Sequence, residues 1–144
     1  MSIKITSIIE KDVVTMDEGC SALEAAEAMA KMYVGSVIAK KGEKVTGLFT
    51  ERDMITRIIS AGLDPAKVLI KDAMVRDYVI VEPNATCQQC IKLMKKYKCR
   101  HLTVFDDDNF IGIVSLRDML ALMIEEKEHL MERLKGYMDE PGEE

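Results

Sequence analysis

Tryptophan is absent from this 144-residue chain, histidine occurs twice, and aromatic residues make up only 5% of it. With His101 and His129 as the whole histidine complement, no nucleophile–base pair stands out, which argues against an enzyme. No apolar run reaches the length that crosses a bilayer, so no membrane role is expected. The opening Met1-Ser2-Ile3-Lys4-Ile5-Thr6 lacks a signal-peptide apolar core, and cytoplasmic residence is the expectation. Positive charge is in deficit, with 20 Lys and Arg against 25 Asp and Glu, and the cations are scattered. A general nucleic-acid binder needs a basic face that this distribution does not offer. What remains is the profile of a soluble globular protein, 48% hydrophobic and 31% charged, with eleven methionines suited to a pliable core and interface. The length fits one compact domain or two small units that share a core.

The chain then says nearly the same thing twice. Gly47-Leu48-Phe49-Thr50-Glu51-Arg52-Asp53 returns as Gly112-Ile113-Val114-Ser115-Leu116-Arg117-Asp118, displaced throughout by 65 residues. A fixed register between halves means one structural unit used twice. The same offset aligns Asp12–Met16 with Asp77–Val81, both short β-branched runs with strand character. It also aligns Ser21-Ala22-Leu23-Glu24 with Thr86-Cys87-Gln88-Gln89, a hydroxyl followed three residues later by Glu or Gln, which opens a helix as a capping box. Paired strands follow, Ser36–Lys40 with Val45–Phe49 and His101–Phe105 with Phe110–Val114, turning through 41–44 and 106–109. A second helix begins at Thr50 or Ser115. Each half therefore reads strand, helix, strand, strand, helix, after a short apolar lead-in (3–9 and 68–74). Gly62 and Pro65 stop the first half's last helix and make 61–65 the expected linker.

Four cysteines invite other readings. Cys87-Gln88-Gln89-Cys90 is a C-x-x-C at a helix start, and with Cys20 and Cys99 it could suggest redox chemistry or a four-thiolate metal site. The repeat argues otherwise: Cys87 and Cys90 align with Ala22 and Ala25, and Cys20 with Ala85, so these thiols stand in for small buried residues. Metal ligation is not expected. Asp106-Asp107-Asp108-Asn109 lacks the spacing and terminal Glu of a calcium loop and reads as a solvated hairpin.

The repeated motif carries hydrogen-bonding and charged groups suited to a ligand. Thr50 and Ser115 sit where a strand ends and a helix begins, so free N–H groups and the positive end of the helix dipole favour an anion there. Asp53 and Asp118, three residues on, only accept hydrogen bonds when ionised, which suits a vicinal diol. Arg52 and Arg117 could reach phosphate oxygens with a planar fork. Gly47 and Gly112 let backbone approach closely. Thr-x-x-Asp and Ser-x-x-Asp are also ordinary helix starts, and both readings stand at this point.

This layout, with its Gly-apolar-apolar-Thr/Ser-x-x-Asp element in both halves, resembles a tandem cystathionine-β-synthase (CBS) domain pair over residues 3 to 124. Arg100-His101-Leu102-Thr103-Val104 is similar to the family's second strand, although the family usually carries Pro where Thr103 stands. The resemblance implies an α+β fold of two repeats related by a pseudo-two-fold, residues 1–62 and 63–124, with 125–144 as a C-terminal helix extension and acidic tail. It implies two clefts that bind an adenosine-containing ligand (AMP, ADP, ATP, S-adenosylmethionine or an NAD-type molecule) as a regulatory signal, with no catalytic cofactor. It places adenine between Val37, Leu48, Leu102 and Ile113, puts Gly35, Ser36, Arg100 and His101 at the cleft mouth, and gives Thr15 and Ile80 backbone contacts to the base edge. His101 could make binding pH-sensitive or could be a packed strand residue. The resemblance also implies a homodimer and an unidentified client protein that receives the signal.

Leu116, Leu120, Met123, Lys127, Leu130, Leu134 and Tyr137 follow alternating four- and three-residue steps, a seam at coiled-coil spacing. The last helix therefore extends well past the point where its first-half counterpart stops, and a second subunit is the expected cover. An acidic tail from Asp139 should be disordered. The alternative function is a ligand-free interaction protein that works through this helix and its dimer.

Overall fold

A computed structural model describes residues 3–139. A 3-10 turn, Thr6–Ile8, leads into β1 (Thr15–Asp17), α1 (Ala22–Met32), β2 (Ser36–Lys41), β3 (Lys44–Thr50) and α2 (Glu51–Asp53), which continues as a π-helical stretch, Met54–Ile59. The second half repeats the order as α3 (Ile70–Ala73), β4 (Ile80–Val81), α4 (Cys87–Tyr97), β5 (His101–Asp106), β6 (Asn109–Ser115) and α5 (Leu116–Asp139). The result is the α+β architecture expected, with two three-stranded sheets ordered β1-β2-β3 and β4-β5-β6. In each sheet the first strand runs parallel to the second and the second antiparallel to the third. No described helix is long and apolar enough to cross a membrane. Of the acidic tail only Asp139 is described, and it is the last residue of α5 rather than part of a disordered segment.

The local signals act as their chemistry dictates. Ser21 and Thr86 accept the amides of Glu24 and Gln89, and the Gln89 side chain accepts the Thr86 amide in return. Tyr33 and Lys98, at φ 55° and 53°, close α1 and α4 in the left-handed conformation, their amides returning to Met29 and Met94. Bulges fall at Ala39/Lys40 and Val104/Phe105, again 65 residues apart.

The two halves exchange their lead-ins. The Cys87 amide donates to Ile3 O (2.7 Å) and the Ile5 amide to Ala85 O (3.0 Å), so the N-terminal segment docks on the second half. Sixty-five residues later the Ala22 amide donates to Val68 O (2.7 Å) and the Ile70 amide to Cys20 O (2.8 Å), docking the middle segment on the first half. Each segment also pairs with the free edge of the other half's sheet, Glu10 with Ile113 and Val75 with Leu48. Ile5 is fully buried among Cys87, Cys90, Leu102 and Met119, and Ile70 among Ala22, Phe49 and Ile58. Each such isoleucine contributes about 1.5–3 kcal/mol, so the exchange fastens the halves together.

Gly47 and Gly112 serve this docking. A Cβ at Gly112 would overlap the Glu10 backbone carbonyl, and one at Gly47 would overlap the Met74 side chain. The close approach is thus to protein, from the exchanged segments. A central cluster of Ile38, Leu48 and Ile113, flanked by Val13, Val45, Tyr78 and Phe110, fills the space between the sheets. Thr103 is buried there too, its amide and hydroxyl both donating to Val79 O at 2.9 and 2.8 Å. Pro at this position would forfeit the amide bond.

Candidate functional site

A cleft of about 760 Å³ opens between the halves at the first copy of the motif. The first half supplies Leu48, Thr50–Asp53 and Ile55–Arg57. The second supplies Val75, Asp77–Val79 and Tyr97–His101. Its floor is Asp53, buried at 7% exposure. The Thr50 amide and hydroxyl each donate to Asp53 Oδ2 at 2.9 Å, and the Asp53 amide returns to Thr50 Oγ1 at 3.2 Å. Asp53 Oδ1 faces Arg57 Nε at 3.5 Å. A carboxylate has about four acceptor positions, so this one keeps capacity for further donors.

Further cations line the same cleft. Arg52 reaches across the cleft, its Nη1 donating to Lys98 O at 3.3 Å, and Arg57, Lys98 and Arg100 also line the walls. Glu51 and Asp77 are the other carboxylates of the lining. The strand starts sit against the helix starts: the Glu51 amide donates to Gly35 O (3.0 Å) and the Leu116 amide to Arg100 O (2.9 Å), one interaction made twice. His101 is held below its ordinary value of 6.5 by burial, with Glu51 opposing and Arg100 reinforcing the shift. The imidazole is therefore favoured neutral, as a donor on one nitrogen and an acceptor on the other.

The second copy of the motif is built differently. Asp118 is exposed, and its amide donates to Ser115 Oγ at 3.1 Å without the reciprocal carboxylate contact seen at Asp53. It lines a separate cavity of about 600 Å³ with Ser7–Glu10, Ala121, Leu122, Glu125 and Glu126. Glu10, Asp118, Glu125 and Glu126 make that lining acidic, and no cation belongs to it. Leu122 stands where symmetry would place a second Arg57.

The structure brings Leu48, Thr50, Arg52, Asp53, Arg100 and His101 to the first cleft. Gly35 borders it, since a Cβ there would touch Glu51 and His101, and Ser36 is buried beside it. Val37 and Leu102 are fully buried in the two outer cores, against helices, while their neighbours Ile38 and Thr103 face the centre. Ile113 lies in the central cluster, and Ser115 caps α5. Thr15 and Ile80 are exposed, Arg117 is exposed, and none of the three lines either cavity. The lining residues not expected from the sequence are Glu51, Ile55–Arg57, Val75, Asp77–Val79 and Tyr97–Cys99. Arg57 had a signal: a base four residues after an acid on a helix, with leucine at the equivalent of the second half.

Two of the four thiols, those of Cys87 and Cys90, pack in the second core. Cys87 and Cys90 are fully buried, and burial, aided by the neighbouring Cys87, pushes the Cys90 thiol up to about 11. Among the described residues no group of His, Cys, Asp and Glu is arranged to hold a metal.

The CBS domain family matches the chain twice, over residues 5–60 and 70–125. An uncharacterized protein of Methanopyrus kandleri is 29% identical over 141 residues, covering 96% of this chain and 72% of that one. A mitochondrial CBS domain-containing protein of Arabidopsis thaliana is 29% identical over 120 residues, 80% of this chain and 58% of the relative. Among solved structures, a CBS domain pair in complex with 5′-methylthioadenosine and S-adenosyl-L-methionine superposes with a TM-score of 0.76 at 21% identity, over 88% of this chain and 99% of that one.

Proposed function

The chain belongs to the CBS-domain family, and from that premise we propose that it is a regulatory module that binds an adenosine-containing ligand in the cleft around Asp53. The observation that carries this reading is the buried Asp53 carboxylate at a helix start, inside a cleft whose walls hold Arg52, Arg57, Lys98 and Arg100. An acceptor-only group at the floor suits the ribose hydroxyls, and the cations suit phosphate or another anionic substituent. Leu48, Val75, Tyr78 and Val79 supply apolar surface for the base. A solved CBS pair of the same fold holds adenosine derivatives, which supports the ligand class. The output passes to a partner protein and depends on different ligand affinities in two states. The reading is of a sensor rather than a catalyst.

The reading ranks the sites: the Asp53 cleft takes the nucleotide, and the acidic surroundings of Asp118 repel its phosphates. Isothermal titration calorimetry with AMP, ADP, ATP, S-adenosylmethionine and NAD tests it, repeated on Asp53→Asn and Asp118→Asn. Micromolar binding lost with Asp53→Asn and kept with Asp118→Asn supports the ranking. No heat from any ligand, with folded protein free of carried-over nucleotide, favours the interaction protein that works through its C-terminal helix. The exposed apolar residues of α5 are the observation behind that second reading.

A further inference from the structure

The last helix leaves the body of the molecule. Met119 is fully buried and Leu116, Leu122 and Met123 pack on the second core, but from Ile124 to Tyr137 every residue of α5 is exposed. At 24 residues α5 is about 36 Å long, and residues 124–137 are exposed, with no cover from the described residues. An isolated helix of that length is marginal in water. The exposed apolar residues are not scattered: Leu120, Ile124, Leu130, Met131, Leu134 and Tyr137 form one stripe. Glu125, Glu128, His129, Glu132 and Lys135 cover the opposite side, where His129 and Glu125 pair at 3.8 Å.

We propose that this stripe is covered by the same helix of a second copy, running antiparallel, in the register that sets Glu126 of each copy against Arg133 of the other. The argument is charge complementarity across the seam. Written as a heptad, Leu120, Lys127 and Leu134 occupy one core position and Met123, Leu130 and Tyr137 the other, with Glu126 and Arg133 flanking. A parallel pair would place Lys127 against its own copy in a core layer. The antiparallel pair places Lys127 opposite Leu130 instead. Sliding that pair by one heptad in one direction brings Glu126 onto Glu126, and in the other direction Arg133 onto Arg133. Only the middle register joins opposite charges at both flanking contacts, and it also matches Ile124 with Met131 on the other flank. Like charges brought together at an interface are strongly unfavourable, so charge selects the register that the apolar stripe permits. The two nucleotide clefts of the dimer then sit at opposite ends of a shared helical rod.

Sedimentation equilibrium on the full chain, without ligand, is the test. The wild-type chain should be a dimer, and Leu130→Glu should be a monomer with unchanged urea stability of the body, since Leu130 touches neither core. Glu126→Arg and Arg133→Glu should each weaken association by roughly tenfold or more. An equimolar mixture of those two variants should associate again, because the mixed pair joins opposite charges at both contacts. A monomeric wild-type chain, or a dimer indifferent to Leu130→Glu, overturns the proposal. Loss of the dimer in Leu130→Glu without any response to the charge variants or to mixing overturns the antiparallel register.

Discussion

Arg57 holds Asp53 across one helical turn, Nε to Oδ1 at 3.5 Å, while its Nη1 reaches the carbonyl oxygens of Ala73 and Met74 at 3.3 and 3.2 Å. The carboxylate at the cleft floor is thereby tied to α3, the piece of the second half's lead-in that docks on the first half. Asp118 has no such tether, because Leu122 occupies the equivalent place. The repeated motif thus stands in two unequal surroundings.

The inequality should be measurable as stability. Asp53→Ala removes the acceptor of the Thr50 amide and the partner of Arg57, and should cost about 1–2 kcal/mol. Asp118→Ala leaves the Ser115 hydroxyl accepting the backbone amide at 118, and should stay within about 0.5 kcal/mol of wild type. Urea unfolding of the two variants compares them directly. Equal losses would contradict the burial difference.

Arg57→Leu makes the first half imitate the second. The guanidinium is half exposed, so the stability loss should stay under about 1 kcal/mol. Affinity for a phosphorylated adenosine ligand should fall by roughly tenfold, the worth of one charge-assisted contact. Calorimetric titration reads the second quantity and a denaturant melt the first.

Gly112→Ala should destabilise more than Gly47→Ala. The new methyl group at 112 meets the Glu10 main chain, which cannot move without breaking the pairing with Ile113, and about 1–3 kcal/mol is expected. At 47 it meets the thioether of Met74, which has rotamers to yield, and the cost should be about 1 kcal/mol or less. Thermal unfolding of both variants tests whether the exchanged lead-ins are the reason for these glycines.

His101 should make the ligand-free protein less stable in mild acid. Burial, opposed by Glu51 and reinforced by Arg100, holds its pKa below 6.5, so the unfolded chain binds the proton more tightly than the folded one. Stability is therefore full above 6.5 and declines as pH falls from there toward the folded value. His101→Gln should flatten the dependence of urea midpoint on pH in that window. An unchanged slope would mean that the carboxylates alone produce it.

Much of this was legible along the chain because the governing interactions are local. Ser21 with Glu24, and Thr86 with Gln89, announce helix starts through contacts three residues apart. The hairpins β2–β3 and β5–β6 needed only short turns between β-prone runs, and their observed bounds extend the expected strands by a residue at the ends. Thr50 and Asp53 were visible as a cap and an acceptor. Val37 and Leu102 were harder to place. Strand β2 is buried at four successive positions, Ser36 to Ala39, so its alternation does not reveal which face meets a helix and which the other sheet. Leu102, buried with Thr103 and Val104, poses the same problem.

The amino-acid sequence by itself determined the repeat, its 65-residue register, the order of elements, and the motif residues that hold hydroxyl, carboxylate and guanidinium at a helix start. These depend on spacing and on chemistry within a turn or a hairpin. The tertiary structure decided what lies far apart in the chain: Ile5 in the second core, Ile70 in the first, and Asp77 to Val79 and Arg100 brought to Asp53. It also decided that Asp53 is buried and paired with Arg57, in a cleft that Arg52, Lys98 and Arg100 also line, while Asp118 is exposed beside Glu10, Glu125 and Glu126. The reason is that a duplicated sequence repeats its local preferences, whereas burial and electrostatic surroundings come from the residues the other half brings, and here the two halves bring different ones.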